Sequence, residues 1–143
     1  MLDPHETPYT QSLGGGLTLR TAATERDVDR VAEFNGAIHG LGVVAMTRNL
    51  FLQHPNTSGR DLIFVQDDRS GQIVSSLCLI PWALRYGDVA FPTGEMGIVG
   101  TLETFRKRGL VRVQADYFKQ RLGEHGCLLS IIQGIPYFYR QFG

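Results

Sequence analysis

Cysteine is scarce in this chain of 143 residues: there are two, Cys78 and Cys127, and neither belongs to a Cys-x-x-Cys pair. A disulfide-dense fold and a thiolate zinc site therefore lack the residues to build them. Both cysteines sit in apolar runs, Ser76-Leu77-Cys78-Leu79-Ile80 and Cys127-Leu128-Leu129, and are expected to be buried thiols in a reducing compartment. Excess charge is missing too. Lys+Arg and Asp+Glu each total 14, so there is no bulk field to hold a polyanion or an anionic membrane surface, and neither nucleic acid nor a membrane is an expected partner. No run approaches the roughly 18 apolar residues of a membrane span, and Met1-Leu2-Asp3-Pro4-His5-Glu6 lacks the basic start and apolar stretch of a signal peptide. A cytoplasmic location is expected. Gly-x-Ser-x-Gly is absent, and the four histidines are scattered at positions 5, 39, 54 and 125, so neither a serine nucleophile elbow nor a metal site is expected.

What remains is one domain's worth of alternating pattern. Residues 1–16 are polar and end in Gly14-Gly15-Gly16, which favours a flexible tail. The domain is expected over 17–143. Leu17 to Thr21 alternates as a half-buried strand. Thr24 with Asp27 three positions on is an acidic capping box, and Val28, Val31, Ala32 and Ile38 repeat at helical spacing up to Gly40. A second helix is expected from about Ala45 to Gln53, stopping before Pro55. From Asp61 to Thr101 the period shortens. Leu62–Val65, Gln72–Ile80, Ala83–Phe91 and Glu95–Thr101 read as an antiparallel meander, with Tyr86-Gly87-Asp88 as a tight turn. Gly109 opens a third helix with Leu110, Val113, Tyr117, Phe118 and Leu122 facing inward. Cys127 to Ile132 reads as a strand covered on both faces, and Pro136 starts a short closing segment. The fold class is α+β, a mixed, mostly antiparallel sheet flanked by helices.

Chemistry concentrates between Ile98 and Arg112. An apolar strand runs into Arg106-Lys107-Arg108-Gly109, and the glycine stands where a helix begins. A helix N-terminus offers unpaired N–H groups and about half a positive charge of macrodipole. Three cationic side chains add charge-assisted donors, so a pyrophosphate is the natural guest. A solvated basic loop closed by a glycine is the plain alternative. The Walker arrangement is not met, because Leu110 stands where a P-loop has lysine.

Arg106-Lys107-Arg108-Gly109-Leu110-Val111 resembles the Arg/Gln-x-x-Gly-x-Gly/Ala acyl-CoA signature of the GNAT superfamily of N-acetyltransferases, in its place between the fourth strand and third helix of that fold. The element order from Leu17 to Phe142 is similar as well. Arg106-x-Arg108-Gly109-Leu110, followed by Val111 and Arg112, is closer still to the branch of the mycobacterial enhanced intracellular survival acetyltransferases. So is the closing Gly134-Ile135-Pro136-Tyr137-Phe138-Tyr139-Arg140-Gln141-Phe142-Gly143. Val111 departs from the small residue of the general signature. The superfamily fold carries two further strands after this point, so the resemblance implies a domain cut short at its C-terminal side.

The resemblance implies acetyl-CoA as cosubstrate, a small-molecule or peptide primary amine as acceptor, and direct attack in a ternary complex. Val99, Gly100 and Thr101 would offer main-chain groups to the pantetheine arm. Arg106, Lys107, Arg108, Gly109, Leu110 and Val111 would hold the pyrophosphate. Tyr139 would protonate the departing CoA thiolate, a role a phenol with pKa near 10 suits. Glu95, eleven positions before Arg106, matches a strand glutamate that serves some relatives as base; an ordinary solvated acid is its plain alternative. Two alternatives for the whole chain stay open: a CoA-binding regulatory module without turnover, and an oligomerising fragment of a larger acetyltransferase.

Overall fold

The computed structural model describes residues 2–135 and 137–143; Pro136, expected to start the closing segment, lies outside them. One sheet organises the chain. Its strands are β1 (Thr10–Gly14), β2 (Leu17–Thr21), β3 (Leu62–Asp67), β4 (Ile73–Tyr86), β5 (Val89–Thr101) and β6 (Leu129–Ile131), in that spatial order. Every pairing is antiparallel except β5 with β6. The helices are α1 (Glu25–His39), α2 (Gly42–Leu52) and α3 (Leu110–Glu124). The expected mixed, mostly antiparallel α+β fold is what forms.

Two cores lie on the two sheet faces. On one, α1 and α2 bury Val28, Val31, Phe34 and Phe51 against Leu62, Phe64 and Cys78. On the other, Leu110, Ala115, Tyr117 and Phe118 of α3 meet Leu19, Ile63, Val65, Leu77, Leu79 and Met96. β3 and the first half of β4 are buried on both faces and carry near-continuous apolar sequence, as a strand sandwiched between helices requires. The Thr24 capping box forms: its hydroxyl accepts from Asp27 N, and the Asp27 carboxylate accepts from Thr24 N, with Gly40 ending the helix. The second helix starts three residues earlier than expected, at Gly42.

Three expectations are corrected. Residues 10–14 are not part of a flexible tail; they form β1, because Gly14, Gly15 and Gly16, all at positive φ, make the hairpin turn into β2. Tyr9 secures that hairpin by stacking on Tyr117 with ring centroids 4.2 Å apart and by accepting from Thr21 N at 3.1 Å. Pro81 and Pro92 do not separate the meander into short runs. β4 and β5 form one long hairpin through both prolines, closed at Gly87-Asp88. β3 leaves β4 at Cys78 and β6 joins β5 only at Thr93, so each proline lies where a strand side has no further partner. Finally, Cys127 to Ile132 is not covered on both faces. Its strand is three exposed residues at the sheet edge, and Cys127 is half-buried where Cys78 is fully buried. Burial raises both thiols above their ordinary range.

Candidate functional site

β5 keeps β4 as its partner along its length but has β6 on its other side only over Thr93–Glu95. Its pairing with β6 ends at Glu95 opposite Ile131, and its register with β4 slips between Cys78↔Gly97 and Ser76↔Gly100, which leaves Ile98 and Val99 bulged against the single residue Leu77. Ile98 takes φ +49°, a costly conformation for a β-branched residue and one that over-determined functional sites tolerate. Beyond this point the β6 side of β5 has no strand against it among the described residues. Val99, Gly100 and Thr101 thus line one arm of a fork whose apex is Glu95. Gly100 lets the end of α1 pack closely: a Cβ there would sit 3.1 Å from Ile38 and 3.3 Å from His39 Nε2, tighter than ordinary contact.

A short helical turn at Glu103–Phe105 carries the chain to the loop before α3. Gly109 is the helix N-cap at φ +75°, with open space where a Cβ would be, and Lys107 also lies at positive φ. The backbone N–H groups of Lys107, Arg108, Gly109, Leu110, Val111 and Arg112 meet no protein acceptor among the described residues; the next amide, Val113 N, donates to Gly109 O at 3.1 Å. Consecutive unpaired donors at a helix start form an anion cradle. Arg106 N is already bonded to Glu103 O at 3.2 Å, so Arg106 brings its side chain and not its amide to the loop. Arg108 folds back, donating to Thr104 O at 3.1 Å with its guanidinium 4.7 Å above the Phe105 ring. Arg106 and Lys107 remain the exposed side chains without an acceptor.

Fork and cradle are joined by a buried polar chain that the sequence reading missed. Gln114, one turn into α3, donates from Nε2 to Ser75 Oγ at 2.7 Å and to Leu110 O at 3.0 Å. Ser75 Oγ lies 2.8 Å from Thr101 Oγ1 and 3.1 Å from Gly100 O. Gln114 and Ser75 are wholly buried, so β4, the fork arm and the helix start keep a fixed spacing. A polar residue four positions after Leu110 on the inward face of α3 was the available signal. On the other face Ser76 Oγ donates to Asn35 Oδ1 at 2.7 Å, and Asn35 donates to Thr47, tying α1 and α2 to the same strand.

Glu95 accepts from Trp82 Nε1 at 2.7 Å, so the carboxylate at the apex is held in place rather than freely solvated. A Cβ on Gly97, two residues further along β5, would point at Ile80 and Cys78, which places Glu95 on the α1/α2 face. Tyr139 lies in a helical turn, Phe138–Phe142, and packs on the α3 face against Gly134, Phe138 and Phe142. Burial raises its phenol above the ordinary value, so it stays protonated at neutral pH. Tyr139, Met96 and Ile131 share a cleft of about 180 Å³ directly under the apex. Tyr139 thus shares a cleft with Met96, the residue after Glu95, while Glu95 itself lies on the opposite face of the sheet. Among the described residues no group of three or more His, Cys, Asp or Glu side chains is placed to hold a metal.

The model of the GNAT acetyltransferase domain matches residues 22–143, and the chain belongs to that family. No curated protein sequence matches it. Among solved structures, a Trypanosoma brucei acetyltransferase superimposes with TM-score 0.64 at 19% identity, over 89% of this chain and 91% of its own. The aminoglycoside 6'-N-acetyltransferase of Acinetobacter baumannii gives 0.66 at 11%, over 90% of each chain. Saccharomyces cerevisiae N-myristoyltransferase with bound myristoyl-CoA gives 0.71 at 12%, over 87% of this chain and 32% of its own. At these identities the likeness is one of fold.

Proposed function

We propose that this chain is an N-acyltransferase that moves an acyl group, acetyl being the smallest, from CoA to a primary amine in a ternary complex. The observation that carries the reading is the set of unpaired N–H groups from Lys107 to Arg112 beside an unpaired strand arm. CoA supplies the activated thioester. The residues fit it on chemical grounds: the cradle amides and the Arg106 and Lys107 cations suit a diphosphate, and the edge of Val99, Gly100 and Thr101 that faces away from β4, with no strand against it among the described residues, suits the amide-bearing pantetheine arm. The loop pattern Arg-x-Arg-Gly-Leu, with Val111 and Arg112 following, supports placing the chain near the intracellular survival branch.

An acceptor amine with pKa near 10 is protonated at neutral pH and must lose a proton before it attacks. Glu95, oriented by Trp82 at the apex, takes that proton directly or through water. The amine nitrogen then bonds to the thioester carbonyl carbon, and collapse of the tetrahedral adduct breaks the C–S bond. Tyr139 gives its proton to the leaving sulfur from the α3 face. The neighbouring acetyltransferases and the aminoglycoside enzyme support an amine acceptor in general terms.

Isothermal titration with CoA tests the cradle, and sub-millimolar affinity is expected. With an amine panel and thiol release as readout, Tyr139→Phe is expected to lower turnover about 10²- to 10⁴-fold with CoA affinity unchanged. A Tyr139→Phe protein of undiminished rate ends the assignment of the acid.

A further inference from the structure

The cleft under the fork apex has more room than an acetyl group uses. It is a partly open cleft lined by Met96 of β5, Ala115, Phe118 and Leu122 of α3, Ile131 of β6 and residues of the closing segment including Tyr139, with Lys119 and Ser130 among its polar side chains. Its volume is about 180 Å³. For comparison, an engineered apolar cavity of about 150 Å³ takes in benzene, so this one has space for roughly six carbons. Its position relative to the reacting bond is specific. Met96 directly follows Glu95 along β5 and faces α3, and Ile131 is the β6 residue paired with Glu95. The mouth of the cleft is thus the point where the two strands part, beside the phenol assigned to the leaving sulfur.

Two features argue for an acyl chain rather than the amine acceptor as the occupant. The walls are chiefly aliphatic and aromatic carbon, which gives a protonated amine no counter-charge. The charged group at the lining is a cation, Lys119, whose ammonium is bonded to Phe142 O, and it would repel an amine. The acceptor-side carboxylate, Glu95, lies on the opposite face of the sheet.

We propose that this cleft is an acyl-chain subsite and that the preferred donor is a medium-chain acyl-CoA of about six carbons rather than acetyl-CoA. The proposal rests on the reading of fork and cradle as a CoA site. It requires no change of chemistry: the same C–N bond forms and the same C–S bond breaks, with the methylenes of the donor lying against Met96, Phe118 and Leu122.

The test is titration of the chain with CoA, acetyl-CoA, butyryl-CoA, hexanoyl-CoA and decanoyl-CoA. Each buried methylene is worth about a fourfold gain in affinity, so hexanoyl-CoA, with four more methylenes than acetyl-CoA, is expected to bind roughly 250-fold tighter if all four are buried and at least about tenfold tighter if only two are. Decanoyl-CoA is expected to add nothing further, because the cleft is full. Two substitutions fill it from different sides, Ala115→Leu from buried α3 and Ser130→Phe from the exposed edge strand. Each is expected to erase the chain-length gain while CoA itself binds as before. Ser130→Phe keeps the test open should Ala115→Leu fail to fold. CoA binding with a flat chain-length profile, or a gain indifferent to both substitutions, overturns the acyl subsite alone. No binding of CoA overturns the cradle, and the subsite with it.

Discussion

The two ends of α3 are built on opposite principles. At its C-terminal end every strong polar group is satisfied. Arg121 donates to Asp61 Oδ1 through Nε at 3.0 Å and Nη2 at 2.8 Å, His125 Nε2 lies 2.9 Å from the same oxygen, and Ser58 N donates to Asp61 Oδ2 at 2.9 Å. Asp61 is wholly buried and Arg121 nearly so. Burial pushes the Asp61 carboxyl up, but the His125 and Ser58 hydrogen bonds and the Arg121 charge outweigh it and hold the group below the usual carboxylate range. At the N-terminal end the amides from Lys107 to Arg112 are bare, two residues sit at positive φ, and the cap contributes no side-chain bond. One end spends its hydrogen-bonding capacity on the fold; the other keeps it for a guest. Saturation makes an anchor, and deliberate want of partners makes a binding site.

The largest expected effect comes from breaking the saturated end. Asp61→Ala leaves the Arg121 guanidinium buried without its counter-charge and is expected to destabilise the chain by about 3–5 kcal/mol, read by urea denaturation. Because the folded carboxyl is held below its ordinary value of 3.8, its contribution is complete above that pH and is lost as pH falls further through the lowered value. The acid limb of a stability profile is therefore expected to flatten in the variant. An unchanged midpoint and an unchanged acid limb would remove Asp61 from the role of anchor.

Gly109→Glu attacks the bare end. A side chain at φ +75° is strained but meets open space, so a stability loss of about 1–2 kcal/mol is expected. CoA affinity is expected to fall about a hundredfold, the worth of two charge-assisted bonds, and retained affinity would show that the diphosphate sits elsewhere. The smallest effect sharpens the comparison within the bare end, at the link between cradle and fork. Gln114→Leu cuts the bond to Ser75 and is expected to cost about 1–2 kcal/mol. It should weaken CoA binding while leaving the affinity for adenosine 3',5'-bisphosphate, which reaches only the cradle, unchanged. Equal losses for both ligands would mean that Gln114 acts on the helix alone.

Much of this was legible because it is local. The Thr24-x-x-Asp27 box, the glycine before Leu110 and the basic run beside it are each decided within a few residues, and α1 and the start of α3 appear where the pattern puts them. The β1 strand was hidden because three glycines carry no periodicity, and a turn differs from a tail only when a partner strand is present. Glu95 and Tyr139 were named singly through resemblance. Their placement on opposite faces of β5, and the Trp82 bond that orients Glu95, depend on strand register and on where the closing segment packs. Asp61 and Arg121 left a faint local trace. Ser58-Gly-Arg-Asp61 has capping-box spacing, and Arg121 falls four residues after Tyr117 on the inward stripe of α3. Nothing local says that the two meet across 60 positions.

By itself, then, the order of residues determined the bounds of α1, the start of α3, the alternation of helices and strands and the chemistry available at the loop before α3, because backbone conformation, capping and periodic burial act over one or two turns of chain. Tertiary structure alone decided which donors go unpaired, where the sheet divides and how large a cleft lies beneath the division. Those are properties of whole elements packed at a distance, and they follow from register, bulge and helix placement that no short stretch of sequence encodes.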